Sequence, residues 1–153
     1  MKKKNLLQTV RSDGSIDRPK SKPRTDLLDI SIRDEVNLYR TALSDWRPTP
    51  DMESAFVHFM SNKMYTAACA LIMLEKDVTF NDIIKVYTLG VPKYGDESWK
   101  KVRPVRTFLS SALRHAVDGT NSEDYGLPHW VHCCWNLIAL RWFEKEGLVP
   151  ERD

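Results

Sequence analysis

Three of the four histidines in the chain lie between residues 115 and 132, among groups suited to handling phosphate. Arg114 and His115 are adjacent, Glu123 and Asp124 follow eight residues later, and His129, His132 and Asn136 come next. On a helix turning about 100° per residue, positions 129, 132 and 136 fall within roughly 60° of one another and form one polar edge. Neutral imidazoles beside carboxylates are common ligands for divalent transition metals, and a neighbouring guanidinium neutralises phosphate charge. The same residues also fit a structural role. His129 and His132 could cap or bridge helices, and Glu123 and Asp124 could complement the positive end of the helix after them. Upstream, Lys93, Tyr94, Gly95, Asp96, Glu97 and Trp99 form a second polar segment. Lys93 can present a point charge to phosphate, and Trp99 can anchor the segment on apolar surface.

These residues need helices to position them, and the apolar spacing supplies five. Ile32, Val36, Tyr39, Leu43 and Trp46 recur in steps of four and three, after a capping pattern at Ser31 and Asp34 and before Pro48 and Pro50. Asp51 caps a long second helix carrying Val57, Met60, Met64, Leu71 and Leu74 to about Lys76, expected near the centre of the fold. Thr79 caps a third with Phe80, Ile83, Ile84 and Tyr87 inward and Gly90 as its left-handed end, followed by a loop from Val91 to Arg103. Pro104 suits the first turn of a fourth helix, which ends at Asp118 and Gly119. Pro128 opens a fifth that runs to about Glu146, with Val131, Cys134, Trp135, Ile138 and Trp142 on its core stripe and Gly147 and Pro150 after it. Strand-like alternation is absent. The expectation is an all-α, compact bundle of about five helices.

A chain of 153 residues with 42% hydrophobic and 29% charged residues corresponds to one globular domain, here residues 25–153. Residues 1–24 hold eight Lys or Arg against Asp13 and Asp17, and so contribute +6 to a net charge of +2. They are expected to be a disordered basic arm on a mildly acidic body. No recognisable nucleic-acid-binding signature accompanies the arm, so nucleic acid ranks last among the partners considered. No apolar run approaches the roughly 18 residues of a membrane span, and only Leu6 and Leu7 follow the basic start, so neither a membrane segment nor a secretory signal is expected. Cys69, Cys133 and Cys134 are an odd count without a C-x-x-C pair, which points to a reducing compartment, the cytoplasm.

The segments GVPKYGDESW at Gly90 to Trp99, SALRHAVDG at Ser111 to Gly119 and YGLPHWVHCCWNLIAL at Tyr125 to Leu140 together resemble the N-terminal domain family of phage dATP/dGTP diphosphohydrolases. The resemblance rests on Gly90, Lys93, Tyr94, Gly95 and Trp99, then Arg114 and His115, then Glu123 and Asp124, then Gly126, Leu127, His129, His132 and Asn136. It spans about Thr79 to Trp142. A further family feature, K-P-R-x-D-L-L, reads as Lys22 to Leu28, separated from the rest by an insertion. The paired E-x-x-E and E-x-x-D carboxylates of the related MazG-like all-α pyrophosphatases are missing, with Asp26 and Asp29 the nearest counterpart.

The resemblance implies hydrolysis of a purine deoxynucleoside triphosphate between its α and β phosphates. Mg²⁺ or Mn²⁺ would assist, held by His129, His132 and Asp124. In that scheme Glu123 is the water base, and Asp124 and His115 complete the catalytic set. Lys93, Tyr94, Arg114 and Asn136 bind substrate. By the same analogy the protein would be a homo-oligomer, in the host cytoplasm if phage-encoded. The missing carboxylates weaken the expected affinity for Mg²⁺, which prefers oxygen ligands. They support a second expectation, a non-catalytic nucleotide-binding or accessory protein that keeps the pocket without the chemistry.

Overall fold

Eleven of the seventeen residues of the helix His129–Lys145 are buried, on every side of it. A helix apolar around its whole circumference belongs in the middle of a fold. The computed structural model describes residues 25–45, 51–94, 97–119, 123–124 and 126–152. Within them are six α-helices, α1 (Ile30–Asp45), α2 (Met52–Ser61), α3 (Tyr65–Lys76), α4 (Phe80–Tyr94), α5 (Arg106–Asp118) and α6 (His129–Lys145). A two-stranded antiparallel ladder, β1 (Glu123–Asp124) with β2 (Leu127–Pro128), joins α5 to α6. The basic arm, Trp46 and Gly95 lie outside the described residues.

The architecture is all-α, a bundle in which α3 and α6 pack on each other and collect the rest. Helix α3 is buried without a break from Tyr65 to Met73, so two or more neighbours must cover it. Helices α1 and α2 pack on α3, while α4 and α5 pack on α6. Trp135 and Trp142, expected in the core stripe of α6, are half-buried, whereas Cys133, Leu137, Ala139, Leu140 and Phe143 are fully buried.

The single long helix expected from Asp51 to Lys76 is two helices. Lys63 turns left-handed at φ 57°, and the Met64 N–H returns to the Phe59 carbonyl at 2.8 Å. The Asn62 side chain also donates to the His58 carbonyl at 2.8 Å, so the last carbonyls of α2 find partners without a continuing helix. The apolar rhythm runs on across this break, which hides it in the sequence. Helix α4, by contrast, runs past Gly90 to Tyr94, into the expected loop. Its inward residues Ile83, Ile84 and Tyr87 anchor it, and an interior glycine costs only about 1 kcal/mol.

The caps are partly as expected. Asp51 accepts from the Ser54 N–H at 2.9 Å, and Thr79 and Asp82 cap each other's backbone N–H groups at 3.1 Å. The cap of α1 is Asp29 rather than Ser31, since one Asp29 oxygen accepts from the N–H groups of Ser31 and Ile32. Pro104, joined to Arg103 by a cis peptide bond, precedes α5 by two residues instead of opening it. Pro128 holds the N-cap position of α6, with extended backbone.

A polar clamp closes the far end of the bundle. Arg141 of α6 donates from Nε and Nη2 to the two oxygens of Glu35 on α1 at 2.9 and 3.1 Å, and from Nη1 to Glu144 at 2.7 Å. Thr66 of α3 adds a 2.6 Å hydrogen bond to Glu35. Burial works to raise the Glu35 pKa, but the bonds from Arg141 and Thr66 and the charges of Arg141 and Lys145 outweigh it and hold the carboxyl below its usual value of 4.5. A carboxylate lowered in the fold contributes stability that is present above its unfolded pKa and lost as pH falls through the folded one. Stability should therefore drop on acidification below about pH 4.5, and Glu35→Gln should flatten that drop in pH-dependent urea titrations. At neutral pH the caps give opposite signs. Thr79→Ala should cost about 1 kcal/mol, whereas Asp77→Gly, at a left-handed exposed residue with φ 59°, should gain about 0.5 kcal/mol.

Candidate functional site

Helix α5 stops at Gly119, whose φ of 55° few other residues adopt readily, and its N–H caps the His115 carbonyl at 2.7 Å. A Cβ at this glycine would lie 3.1 Å from the Trp130 indole nitrogen. The end of α5 thus lies directly against the start of α6, closer than a side chain's ordinary packing distance. Trp130 is also covered by Lys76, the last residue of α3, whose ammonium sits 5.5 Å from a ring centroid of the indole. Between the helices the chain doubles back, with Glu123 opposite Pro128 and Asp124 opposite Leu127. Gly126 makes that turn with φ 78°.

This junction brings three imidazoles together. His115, His129 and His132 are all buried. His115 Nδ1 lies 2.8 Å from His129 Nδ1, and His132 stacks on His115 with centroids 4.9 Å apart and planes 20° apart. Arg114 is exposed at the rim, its Nη2 3.4 Å from His115 Nε2 and 3.4 Å from Ser111 Oγ. A guanidinium can only donate, so in this contact His115 Nε2 accepts. A neutral His115 then carries its proton on Nδ1 and donates to His129 Nδ1, which leaves the His129 proton on Nε2. The rings thus form a directed line from Arg114 inward.

The other expected site residues are placed less completely. Asn136 is buried and its amide donates back to the His132 carbonyl at 2.8 Å, fixing the helix turn that carries the imidazole. Glu123 and Asp124 are placed beside the start of α6 by the backbone ladder, and Lys93 and Tyr94 end α4. The side chains of these four lie outside the described residues. Among the described residues, no group of three His, Cys, Asp or Glu side chains is arranged to hold a metal ion. Cys133 and Cys134, next to His132, are no nucleophiles, because burial pushes both thiols far above their usual range.

Trp99 has the anchoring role expected of it. Its half-buried indole meets Tyr87, Trp135, Trp142 and Phe143 edge-on at centroid distances of 5.3 to 5.9 Å. This ties the turn Ser98–Lys101 to α4 and α6. Lys100 lies over Trp142 at 4.8 Å and pairs with Glu97. An apolar cleft lies elsewhere. It has a volume of about 570 Å³ between α1 and α2, is lined by Tyr39, Leu43, Ala55, His58 and Phe59, and has no Lys or Arg in its described lining.

Residues 69–150, just over half of the chain, match the family model described as dATP/dGTP diphosphohydrolase, N-terminal. The chain belongs to this family. The match takes in most of α3 and all of α4, α5, the β ladder and α6, and therefore every candidate site residue. The Lys22 to Leu28 segment and α1 and α2 fall outside it. No curated protein and no solved structure matches the chain. No described helix is long and apolar enough to cross a membrane.

Two results are expected for this family domain. Ring ¹⁵N spectra at neutral pH should report His115 as the Nδ1–H tautomer and His129 as the Nε2–H tautomer, whereas the reverse pair would contradict the direction given by Arg114. Trp99→Ala should cost about 3 kcal/mol in urea unfolding by opening the aromatic cluster.

Proposed function

We propose that the α5–α6 junction is a nucleotide site that hydrolyses a purine deoxynucleoside triphosphate to its monophosphate and pyrophosphate. The observation that carries this reading is the gathering of His115, His129 and His132 behind the exposed guanidinium of Arg114, in a chain of the dATP/dGTP diphosphohydrolase family. Arg114 would neutralise the polyphosphate, and Lys93 and Tyr94 would add contacts from the end of α4. Water would attack the α-phosphorus and break its bond to the bridging oxygen, so that pyrophosphate leaves with that oxygen. Glu123 would take the proton that water loses. The His115–His129 pair, joined by one shared proton, would orient the site and offset the charge that develops at the phosphoryl oxygens. Asn136 would act by holding the turn that carries His132.

A divalent ion, Mg²⁺ or Mn²⁺, is part of this proposal. Of the expected set His129, His132 and Asp124, His132 and Asp124 would hold it, a mixed nitrogen and oxygen pair that suits Mn²⁺ better than Mg²⁺, and His129 would join them only by giving up its Nε2 proton and reversing its hydrogen bond with His115. His115 fits a positioning role better than a ligand role, because its Nδ1 is engaged by His129 and its Nε2 by Arg114. When bound, the ion would polarise the phosphoryl group and lower the pKa of the attacking water.

One observation favours a second reading. The sequence lacks the paired E-x-x-E and E-x-x-D carboxylates of MazG-like pyrophosphatases, which fits a pocket that binds nucleotides without cutting them. A product assay over dATP, dGTP and their ribonucleotide counterparts, with Mg²⁺ or Mn²⁺, separates the two. Monophosphate and pyrophosphate in equal amounts, abolished by chelation and reduced at least 100-fold in Arg114→Ala or His129→Ala, is the expected outcome. Saturable binding without product would leave the binding module, and neither binding nor product would remove the site.

A further inference from the structure

Trp130 follows His129 on α6 and takes no part in the chemistry above, yet it is the side chain against which the end of α5 stops. Gly119 combines φ 55° with ψ −112°. That conformation is close to the first central position of a II′ turn, where glycine is favoured, and lies outside the left-handed helical region that Asn or Asp can share. A Cβ there would lie 3.1 Å from Trp130 Nε1 and 3.3 Å from Cε2 and Cζ2. Backbone and contact thus each call for glycine. The Lys76 ammonium, 5.5 Å from a ring centroid of the same indole, adds the end of α3 through a cation–π contact. Two helix ends converge on one half-buried ring.

The contact closes a circuit of four residues. The Gly119 N–H donates to the His115 carbonyl at 2.7 Å, His115 Nδ1 lies 2.8 Å from His129 Nδ1, His129 and Trp130 are consecutive, and Trp130 returns to Gly119. At about 100° per residue, His129 stands between Trp130 and His132 on α6, so the indole flanks the imidazole that His115 meets. The bond between the two rings tolerates little movement, since about 0.5 Å more takes a 2.8 Å contact beyond the usual hydrogen-bond range. We propose that Trp130 is a positioning residue: set against Gly119 and Lys76, its indole holds the ends of α5 and α6 at the separation that lets His115 bond His129. Without the ring, the end of α5 loses its stop on α6 and the imidazoles part. The consequence for catalysis rests on the nucleotide reading of the α5–α6 junction, whereas the effect on the ring pair does not.

The test uses the full chain and two readouts, the ¹⁵N–¹⁵N coupling transmitted through the His115–His129 hydrogen bond and the steady-state kinetics with dGTP. Trp130→Ala should lose the coupling and lower kcat roughly tenfold or more with KM little changed, and the conservative Trp130→Phe should restore both. Trp99→Ala, which destabilises the fold through the aromatic cluster, should keep the coupling, and so separates positioning from general loosening. Thermal melts check folding. Should Trp130→Ala not fold, Gly119→Ala, which crowds the same contact from the α5 side, should lose the coupling in its place. Coupling and kcat at wild-type values in Trp130→Ala, or coupling lost equally in Trp99→Ala, would overturn the assignment and leave the junction site standing. If wild type cuts no dGTP while the coupling responds as expected, the positioning role stands and hydrolysis falls.

Discussion

The contact between His115 and His129 is the constraint around which this end of the molecule is organised. Polar side chains buried away from water must find hydrogen-bonding partners or cost the fold their full desolvation. Helix α6 is packed by α3, α4 and α5, so the imidazoles in its first turns are largely buried and are met by partners within the fold. His115, four residues before the glycine that ends α5, meets them at 2.8 Å. That requirement explains why Gly119 closes against Trp130 and why the connection doubles back through a ladder only two residues long on each side. The register of α5 on α6, and with it the place of Arg114 at the rim, follows from it.

The far end of α6 is held by different physics. Arg141 grips Glu35 with two parallel bonds, the geometry that makes a guanidinium–carboxylate pair specific. It sits about 18 Å along the helix from His129. Along one side of the helix Trp99, Trp135, Trp142 and Phe143 form an aromatic seam whose edge-on contacts bring in the segment between α4 and α5. A helix fixed at both ends and along one side is a rigid support, and rigid elements hold a constellation of side chains more precisely than loops do.

The sequence disclosed the polar junction of α5 and α6 better than the helix boundaries. His129, His132 and Asn136 are legible as one edge because helical period alone puts them there, and Arg114 with His115 adjoins them because a short connection must reverse the chain. The caps Asp51 and Thr79 are legible for the same local reason. Other features depend on partners distant in sequence. Lys63 breaks a continuous apolar rhythm through left-handed backbone geometry, and α4 overruns Gly90 because tertiary packing outweighs a weak local preference. Glu35 and Arg141 are 106 residues apart, and neither carries a pattern that announces the other.

The family match suggests a class of chemistry, and we propose the junction of α5 and α6 as its place. The most direct measurement of that placement is a titration with a non-hydrolysable dGTP analogue and Mg²⁺, followed through the ring signals of His115, His129 and His132. The account predicts that the His115 and His129 signals move together and saturate with the bound fraction. Saturable binding that leaves all three rings unmoved and instead perturbs Tyr39 and Phe59, in the apolar cleft between α1 and α2, would contradict it.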